Sequence, residues 1–119
     1  MNIKLFDSEL KIMEVLWEKD RISAKSLSQL LGESIGWNKN TTYTVIKKCI
    51  EKGAVARTEP GFICQALVTK EQVQQAELTE LTNKLFDGSK AMLFAALIGE
   101  KTVPKELIDS LRKAITEKE

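Results

Sequence analysis

The 119-residue sequence contains no histidine, only two cysteines and two prolines, and no long hydrophobic run. Histidine is the commonest general base and the commonest metal ligand in proteins, so its absence argues against most hydrolases and zinc sites. Cys49 and Cys64 are too few for a disulfide scaffold or a four-cysteine metal site, and they form no Cys-x-x-Cys pair. We therefore expect a reducing compartment and no metal or cofactor. The thiols are most simply small buried groups, with a redox role as the alternative.

The longest unbroken apolar run spans residues 91–98. It is far shorter than the roughly 20 residues that a membrane-spanning helix needs. The N-terminus has no basic segment followed by an apolar one, as a secretion signal would have. These features predict a cytoplasmic protein with no membrane insertion. The sequence also has no phosphate-binding loop, metal-ligand cluster or nucleophile with a candidate base, which predicts that the protein is not an enzyme.

What the sequence does contain is typical of a folded globular protein. Its residues are 43% hydrophobic and 29% charged. The length argues for one domain, or for a small domain with an appendage. Eighteen basic residues against seventeen acidic ones give a formal net charge of +1, so the total charge alone favours no class of charged partner.

Three helices are predicted in the first part of the chain. Asp7 is a candidate N-cap for the first, whose apolar residues recur at helical spacing. Ser23 is a candidate N-cap for the second, Gly32 is suited to end it, and residues 33–36 are predicted to form a loop. The third helix is predicted at about residues 39–52.

The hydrophobic pattern changes after the third helix. Strand-compatible residues at 55–59 and 62–68 flank a Pro60-Gly61 turn, which predicts a β-hairpin. A capping box that begins at Thr69 then predicts a fourth helix. The apolar run predicts a fifth helix, and Pro104 is a favoured first residue for a sixth.

Three helices followed by a hairpin is the order of a winged helix, in which the third helix enters the DNA major groove and the hairpin lies beside it. The predicted fold is mainly α with a small β-hairpin. We expect a winged helix-turn-helix DNA-binding domain over residues 1–68, followed by a C-terminal three-helix dimerisation segment over residues 69–119. Winged helices also serve as protein–protein interaction modules without specific DNA binding, and that is the alternative function.

The local charge favours DNA. Between Trp37 and Arg57 there are five basic residues and one acidic residue, a net charge of +4 within a chain of net charge +1. Asn40 can pair with an adenine edge and Thr44 can contact a base, whereas lysines reach phosphates or guanine. The alternative is a merely solvated helix face. The residues predicted from these patterns to contact DNA are Lys39, Asn40, Tyr43, Thr44, Lys47, Lys48 and Arg57.

Two segments, 9–17 (ELKIMEVLW) and 37–48 (WNKNTTYTVIKK), carry a resemblance to a known family. The sequence resembles the penicillinase repressor (BlaI/MecI/CopY) family of bacterial winged-helix repressors over nearly its whole length. Trp37, Thr41 and Thr44 fall on family positions, and this adds Thr41 to the predicted DNA contacts. Trp37 itself is predicted to pack against the second helix, with a base contact as the alternative. Asn38 stands where the family usually has serine.

The resemblance implies a homodimeric bacterial transcriptional repressor. It would bind a pseudo-palindromic operator through the third helix and regulate antibiotic (beta-lactam) resistance or stress genes. In antibiotic-responsive members, a membrane sensor protease triggers cutting at an Asn–Phe bond in the fifth helix. Ala96-Leu97 stands at the equivalent place here, so a matching bond is absent and this partner is not supported. Copper-responsive members carry a C-terminal Cys-x-Cys pattern, and no cysteine follows Cys64.

The segment over residues 69–119 has too little mass to bury the apolar stripes of three helices within one chain. We therefore expect a second copy of the chain to cover them. The alternative is a monomer in which the last two helices fold back on the winged helix. The residues predicted to form the dimer interface are Leu78, Leu81, Leu85, Met92, Leu93, Phe94, Leu97, Ile98, Leu107, Ile108 and Leu111.

Overall fold

A computed structural model of the protein describes residues 3–99 together with Asp109, Arg112 and Lys113. Its elements, in chain order, are α1 (Asp7–Lys19), β1 (Arg21–Ser23), α2 (Ala24–Ile35), α3 (Lys39–Glu51), β2 (Val55–Thr58), β3 (Ile63–Ala66), α4 (Lys70–Leu85) and α5 (Lys90–Ile98). Apart from the three isolated positions, which are helical, the sixth helix predicted from Pro104 lies outside the described residues.

The chain divides into two compact units, Met1–Glu77 and Leu78–Glu119. In the first unit, α1 to α3 are followed by the β2–β3 hairpin, and β1 joins that hairpin in an antiparallel sheet of order β1-β3-β2. This is the predicted winged helix. The fold class is therefore confirmed, whereas the domain boundary after residue 68 stays a prediction. Strand β1 was not predicted from the sequence, because three residues are too few to show an alternating pattern.

The hydrophobic core of the first unit lies between its three helices and the sheet. The indole N–H of Trp17 donates a hydrogen bond to the carbonyl of Val68 at 2.9 Å, which ties α1 to the end of the hairpin. Trp37 is half-buried against the core, as predicted. The fully buried side chains of the three helices include Ile12, Met13, Leu16, Leu27, Ile46 and Cys49.

The helix ends confirm some of the expected caps and correct others. Ser23 caps α2, since its Oγ accepts a hydrogen bond from the Ser26 N–H at 3.1 Å. The capping box at the start of α4 is also present, with Thr69 Oγ1 accepting from the Gln72 N–H at 3.0 Å. Asp7, however, is the first residue of α1, and the N-cap position belongs to Phe6.

The end of α2 was predicted too early. The helix continues to Ile35, so the predicted loop at residues 33–36 is mostly helical. Gly36, at φ 74°, ends the helix and donates to the Gly32 carbonyl at 3.2 Å. A Cβ on Gly32 would lie 3.4 Å from the Trp37 carbonyl oxygen. That is an ordinary van der Waals distance, so α2 runs through Gly32 and ends at Gly36, whose left-handed backbone terminates a helix.

Cys49 and Cys64 are fully buried free thiols. Burial raises the pKa of the Cys49 thiol to about 12, and burial likewise raises the pKa of the Cys64 thiol. The raised pKa keeps Cys49 protonated at pH 8 and lowers the thiolate fraction of Cys64, and only the thiolate is nucleophilic. We expect alkylation of the native protein by iodoacetamide at pH 8 to be on the order of a hundredfold slower than alkylation in urea. Comparable rates in the two states would contradict this assignment.

Candidate nucleic-acid interface

Helix α3 has one buried side and one exposed side. Thr42, Val45, Ile46 and Cys49 are buried in the core. Residues on the opposite side of the helix are therefore directed to solvent. The exposed side carries Asn40, Thr44, Lys47 and Glu51. It is mostly polar and basic, with one acidic residue near its C-terminal end.

The N-terminus of α3 is fixed by Asn38. Its side-chain Oδ1 accepts a hydrogen bond from the Thr41 N–H at 2.8 Å, and its backbone carbonyl accepts from the buried Thr42 hydroxyl at 3.3 Å. Asparagine and serine are both strong N-cap residues. The departure from the family's serine at this position therefore leaves the helix start intact, and Thr41 remains exposed beside it.

The two flanks of the exposed side differ. Helical spacing places Thr41 and Lys48 on one flank, and both are exposed. The other flank carries Lys39 and Tyr43, with the Lys39 ammonium 5.6 Å from the centre of the Tyr43 ring. Tyr43 is half-buried and meets Phe62 of the hairpin edge-on, at 5.8 Å between ring centres and 82° between ring planes. The hairpin therefore lies along the Tyr43 flank of α3.

The hairpin carries a single arginine, Arg57, whose guanidinium contacts an aromatic ring and a carboxylate. The Arg57 guanidinium lies 3.7 Å from the centre of the Phe62 ring. Its Nε donates a hydrogen bond to the Glu59 carboxylate, whose other oxygen accepts from the Phe62 N–H at 3.2 Å. The hydrogen bond from Arg57, followed by that from Phe62, lowers the pKa of the Glu59 carboxyl. Because Glu59 stays ionised at neutral pH, the tip of the hairpin has no net positive charge.

An ion pair anchors the C-terminal end of α3. The Lys52 ammonium donates to Glu9 Oε1 at 2.6 Å and to the Lys4 carbonyl at 2.7 Å. The same Glu9 oxygen accepts from the Phe6 N–H at 2.7 Å. The Glu9 side chain is buried. Nothing in the local sequence indicates its burial, because its partner is 43 residues away.

All eight residues predicted to contact DNA lie on α3 or on β2 of the hairpin. Seven are exposed, and Tyr43 is half-buried. The sequence analysis did not select two residues of this surface, Glu59 and Phe62. The signal that could have identified Phe62 is its position, since it is an aromatic residue directly after the turn glycine. Whether any of these residues touches DNA stays a prediction.

The predicted dimer residues on α4 and α5 are accessible. None of the nine residues of α5, all within the described part of the chain, is buried. Leu93, Phe94 and Ile98 are partly exposed, and Leu107, Ile108 and Leu111 lie outside the described residues. The exposed members of the predicted interface are Leu78, Leu81, Leu85, Met92 and Leu97.

The described part of the chain offers neither a metal-binding cluster nor a membrane-spanning helix. Over residues 3–99 and the three isolated positions, no group of three or more cysteine or acidic side chains is placed to hold a metal ion. Within the same part of the chain, no helix is both long and apolar enough to cross a membrane.

Comparison with known proteins identifies the family. The penicillinase repressor family model matches residues 5–117. The chain is 21% identical to the methicillin resistance regulatory protein MecI of Staphylococcus aureus (strain N315), over 97% of this chain and 95% of that protein. It is 20% identical to the penicillinase repressor of Bacillus licheniformis, over 96% and 91% of the two chains.

Two further proteins match the chain over different shares of their length. A 16.5 kDa protein of Latilactobacillus sakei is 26% identical over 93% of this chain and 77% of its own. The solution structure of the DNA binding domain of the repressor BlaI superposes with a TM-score of 0.55 at 24% identity, over 59% of this chain and 88% of that one. The chain therefore belongs to the penicillinase repressor family, whose members are transcriptional repressors and not enzymes, as the sequence predicted.

Proposed function

We propose that this protein is a homodimeric repressor that binds a pseudo-palindromic DNA operator with α3 in the major groove. The observation that carries the proposal is the exposed side of α3. It presents hydrogen-bonding and basic side chains to solvent, directly opposite the side that is buried in the core. Winged helices use this surface of their third helix to read DNA. A bound dimer would repress by blocking access of polymerase to the promoter.

The residues of the surface divide into two roles. Asn40 and Thr44 lie on the central, most exposed line of α3, where short polar side chains can reach base edges. The basic residues Lys39, Lys47 and Lys48 can reach phosphates on either side of that line. Thr41, next to the N-cap, is placed for a phosphate contact at the helix N-terminus. Arg57 supplies the phosphate contact of the hairpin.

In this proposal the C-terminal segment holds two copies of the chain together, so that a second winged helix reaches the operator. The exposed leucines of α4 and the apolar α5 offer hydrophobic side chains to a partner, and clustered exposed apolar residues mark interaction sites. A second copy of the same surface would cover them in a two-fold dimer. Such a dimer presents two α3 helices to half-sites about one DNA turn, or a multiple of it, apart.

The names of two relatives, a methicillin resistance regulatory protein and a penicillinase repressor, support genes of beta-lactam resistance as targets, with stress genes as the alternative. The proposed site of action is the cytoplasm, where the DNA lies. A membrane sensor protease is not part of the proposal, because Ala96-Leu97 stands where antibiotic-responsive members have an Asn–Phe bond.

Selection of bound sequences from a random DNA pool with the purified protein tests the proposal. We expect a motif made of two inverted half-sites, since a two-fold dimer binds such a sequence. Salt-dependent binding should also be measurable by fluorescence anisotropy on a random duplex. An interaction module without specific DNA binding would show neither. An asymmetric motif without spaced half-sites would contradict the dimeric arrangement.

Single substitutions on α3 separate base reading from phosphate contact. Lys47→Ala or Lys48→Ala should weaken binding to operator and random duplexes alike and reduce the salt slope by about one unit. Thr44→Ala should mainly reduce the preference for the operator, by about 10-fold, since a base contact contributes about 1–3 kcal/mol of discrimination. Lys11→Ala removes an exposed lysine from α1 and serves as the control. Equal losses on both duplexes for Thr44→Ala would exclude base reading by Thr44.

A further inference from the structure

Phe62 adopts an unusual backbone conformation at the tip of the hairpin. Its φ is +48°, in the left-handed region that glycine tolerates and most L-residues avoid. The residue before it, Gly61, also has a positive φ, of +95°. A bulky aromatic residue stays in this region only when its surroundings outweigh the strain, and such positions cluster at functional sites.

The contacts of Phe62 show what holds it there. Its carbonyl accepts a hydrogen bond from the Ala24 N–H at 2.9 Å, which connects the hairpin to the start of α2. Its N–H donates to Glu59. Its ring contacts Arg57 of β2, with the guanidinium 3.7 Å from the ring centre, and meets the ring of Tyr43 of α3 edge-on, at 5.8 Å between ring centres. Phe62 is therefore the residue at which the hairpin, α2 and α3 meet.

The arrangement of Arg57 fits a prepared phosphate contact. The guanidinium packs against the Phe62 ring and its Nε–H donates to Glu59, so the two terminal amino groups remain available as donors. Those amino groups are the donors that arginine offers to phosphate oxygens. A side chain that is ordered before binding loses less conformational entropy when it binds.

We propose that Phe62 is a positioning residue for DNA binding, which fixes the hairpin arginine Arg57 and the α3 residue Tyr43 in one rigid frame. The phosphate contact of the hairpin is thereby set at a constant distance from the reading side of α3. The inference rests on the proposed operator binding and names a residue that acts through its neighbours without touching DNA.

The test compares Phe62→Gly and Phe62→Tyr with Arg57→Ala and the double variant Phe62→Gly/Arg57→Ala. Glycine accepts the left-handed backbone, so the turn is retained while the ring is lost. Phe62→Asn is a second ring-free variant, because asparagine also tolerates this region. Circular dichroism checks that each variant is folded.

On the selected operator, Phe62→Gly should weaken binding by about 5- to 10-fold, as expected when one side chain loses its preorganisation. Arg57→Ala should weaken it by a similar factor and reduce the salt slope by about one unit. The double variant should lose less than the product of the two single losses, because part of the effect of Phe62 is exerted through Arg57. Phe62→Tyr keeps the ring and should bind within about 2-fold of the unchanged protein.

A second readout needs no DNA. Tyr43 is the only tyrosine in the sequence, so its labelled ring gives a single set of NMR signals. These signals should shift in Phe62→Gly and stay nearly unchanged in Arg57→Ala. If the unchanged protein shows no salt-dependent DNA binding, the proposed function fails, and this inference fails with it. If the protein binds DNA but the losses of Phe62→Gly and Arg57→Ala add independently, or Phe62→Tyr binds as weakly as Phe62→Gly, only the inference is overturned.

Discussion

Leu85→Glu is expected to convert the dimer into a monomer and to weaken operator binding by about a hundredfold. Leu85 is 64% exposed at the end of α4, so a polar side chain there leaves the fold of the single chain unaffected. In the proposed interface, however, a carboxylate would be buried without a partner, which costs several kcal/mol. Each 1.4 kcal/mol is a factor of ten in affinity, and a monomer engages only one half-site.

Size-exclusion chromatography with light scattering measures the oligomeric state. Leu97→Glu introduces the same charge on α5, where Leu97 is 44% exposed, and should also give a monomer. Leu67→Glu is the matched control, since Leu67 is 59% exposed but belongs to the winged helix. On a duplex with a single half-site, Leu85→Glu should bind as well as the unchanged protein. A monomeric unchanged protein would instead favour the arrangement in which the C-terminal helices fold back on the winged helix.

Local sequence patterns predict much of the proposed DNA-binding surface. The buried and exposed sides of α3 follow from helical periodicity alone. Ser23 and Asn38 start α2 and α3 with hydrogen bonds that span three residues, so a short window of sequence contains both partners. The turn at Pro60-Gly61 is equally local. These features were predictable because each is decided by neighbours along the chain.

The features that the sequence did not reveal depend on residues far apart in the chain. Strand β1 exists because Arg21–Ser23 pairs with β3, about 40 residues away. The burial of Glu9 is decided by Lys52. Tertiary contacts between distant residues produce no periodic pattern in the sequence, and they override local secondary-structure preferences.

The charge distribution limits the strength of nonspecific binding. Residues 1–68 contain ten basic and eight acidic side chains, a net charge of +2. Two of the acidic residues lie on or beside the proposed DNA-binding surface, where Glu59 pairs with Arg57 and Glu51 is exposed on α3. Each protomer can then neutralise few phosphates. The salt-dependent electrostatic contribution to the free energy of binding, which dominates nonspecific binding, is therefore small. We expect tight binding only where two matched half-sites are present.

Lys52→Met is expected to lower the free energy of unfolding by about 2–3 kcal/mol. The Glu9 side chain is 1% exposed and that of Lys52 28% exposed, so the carboxylate depends on this cation while the ammonium partly reaches solvent. Removal of one partner from a buried ion pair typically costs about 3–5 kcal/mol, and the exposure of Lys52 reduces that figure. The remaining carboxylate would be poorly compensated, because its Oε2 already has no hydrogen-bond partner. Methionine retains most of the apolar stem of lysine, so the loss reports mainly on the charge.

Urea denaturation of the variants measures this loss, with Glu9→Gln and the double variant Glu9→Gln/Lys52→Met as controls. Glutamine keeps an oxygen that can accept the Phe6 N–H but carries no charge, so it does not need the lysine. The double variant should therefore be more stable than Lys52→Met alone, although it carries one more substitution. If the double variant is instead less stable, the buried charge of Glu9 is not what makes Lys52 necessary, and the hydrogen bond from Lys52 to the Lys4 carbonyl becomes the better explanation.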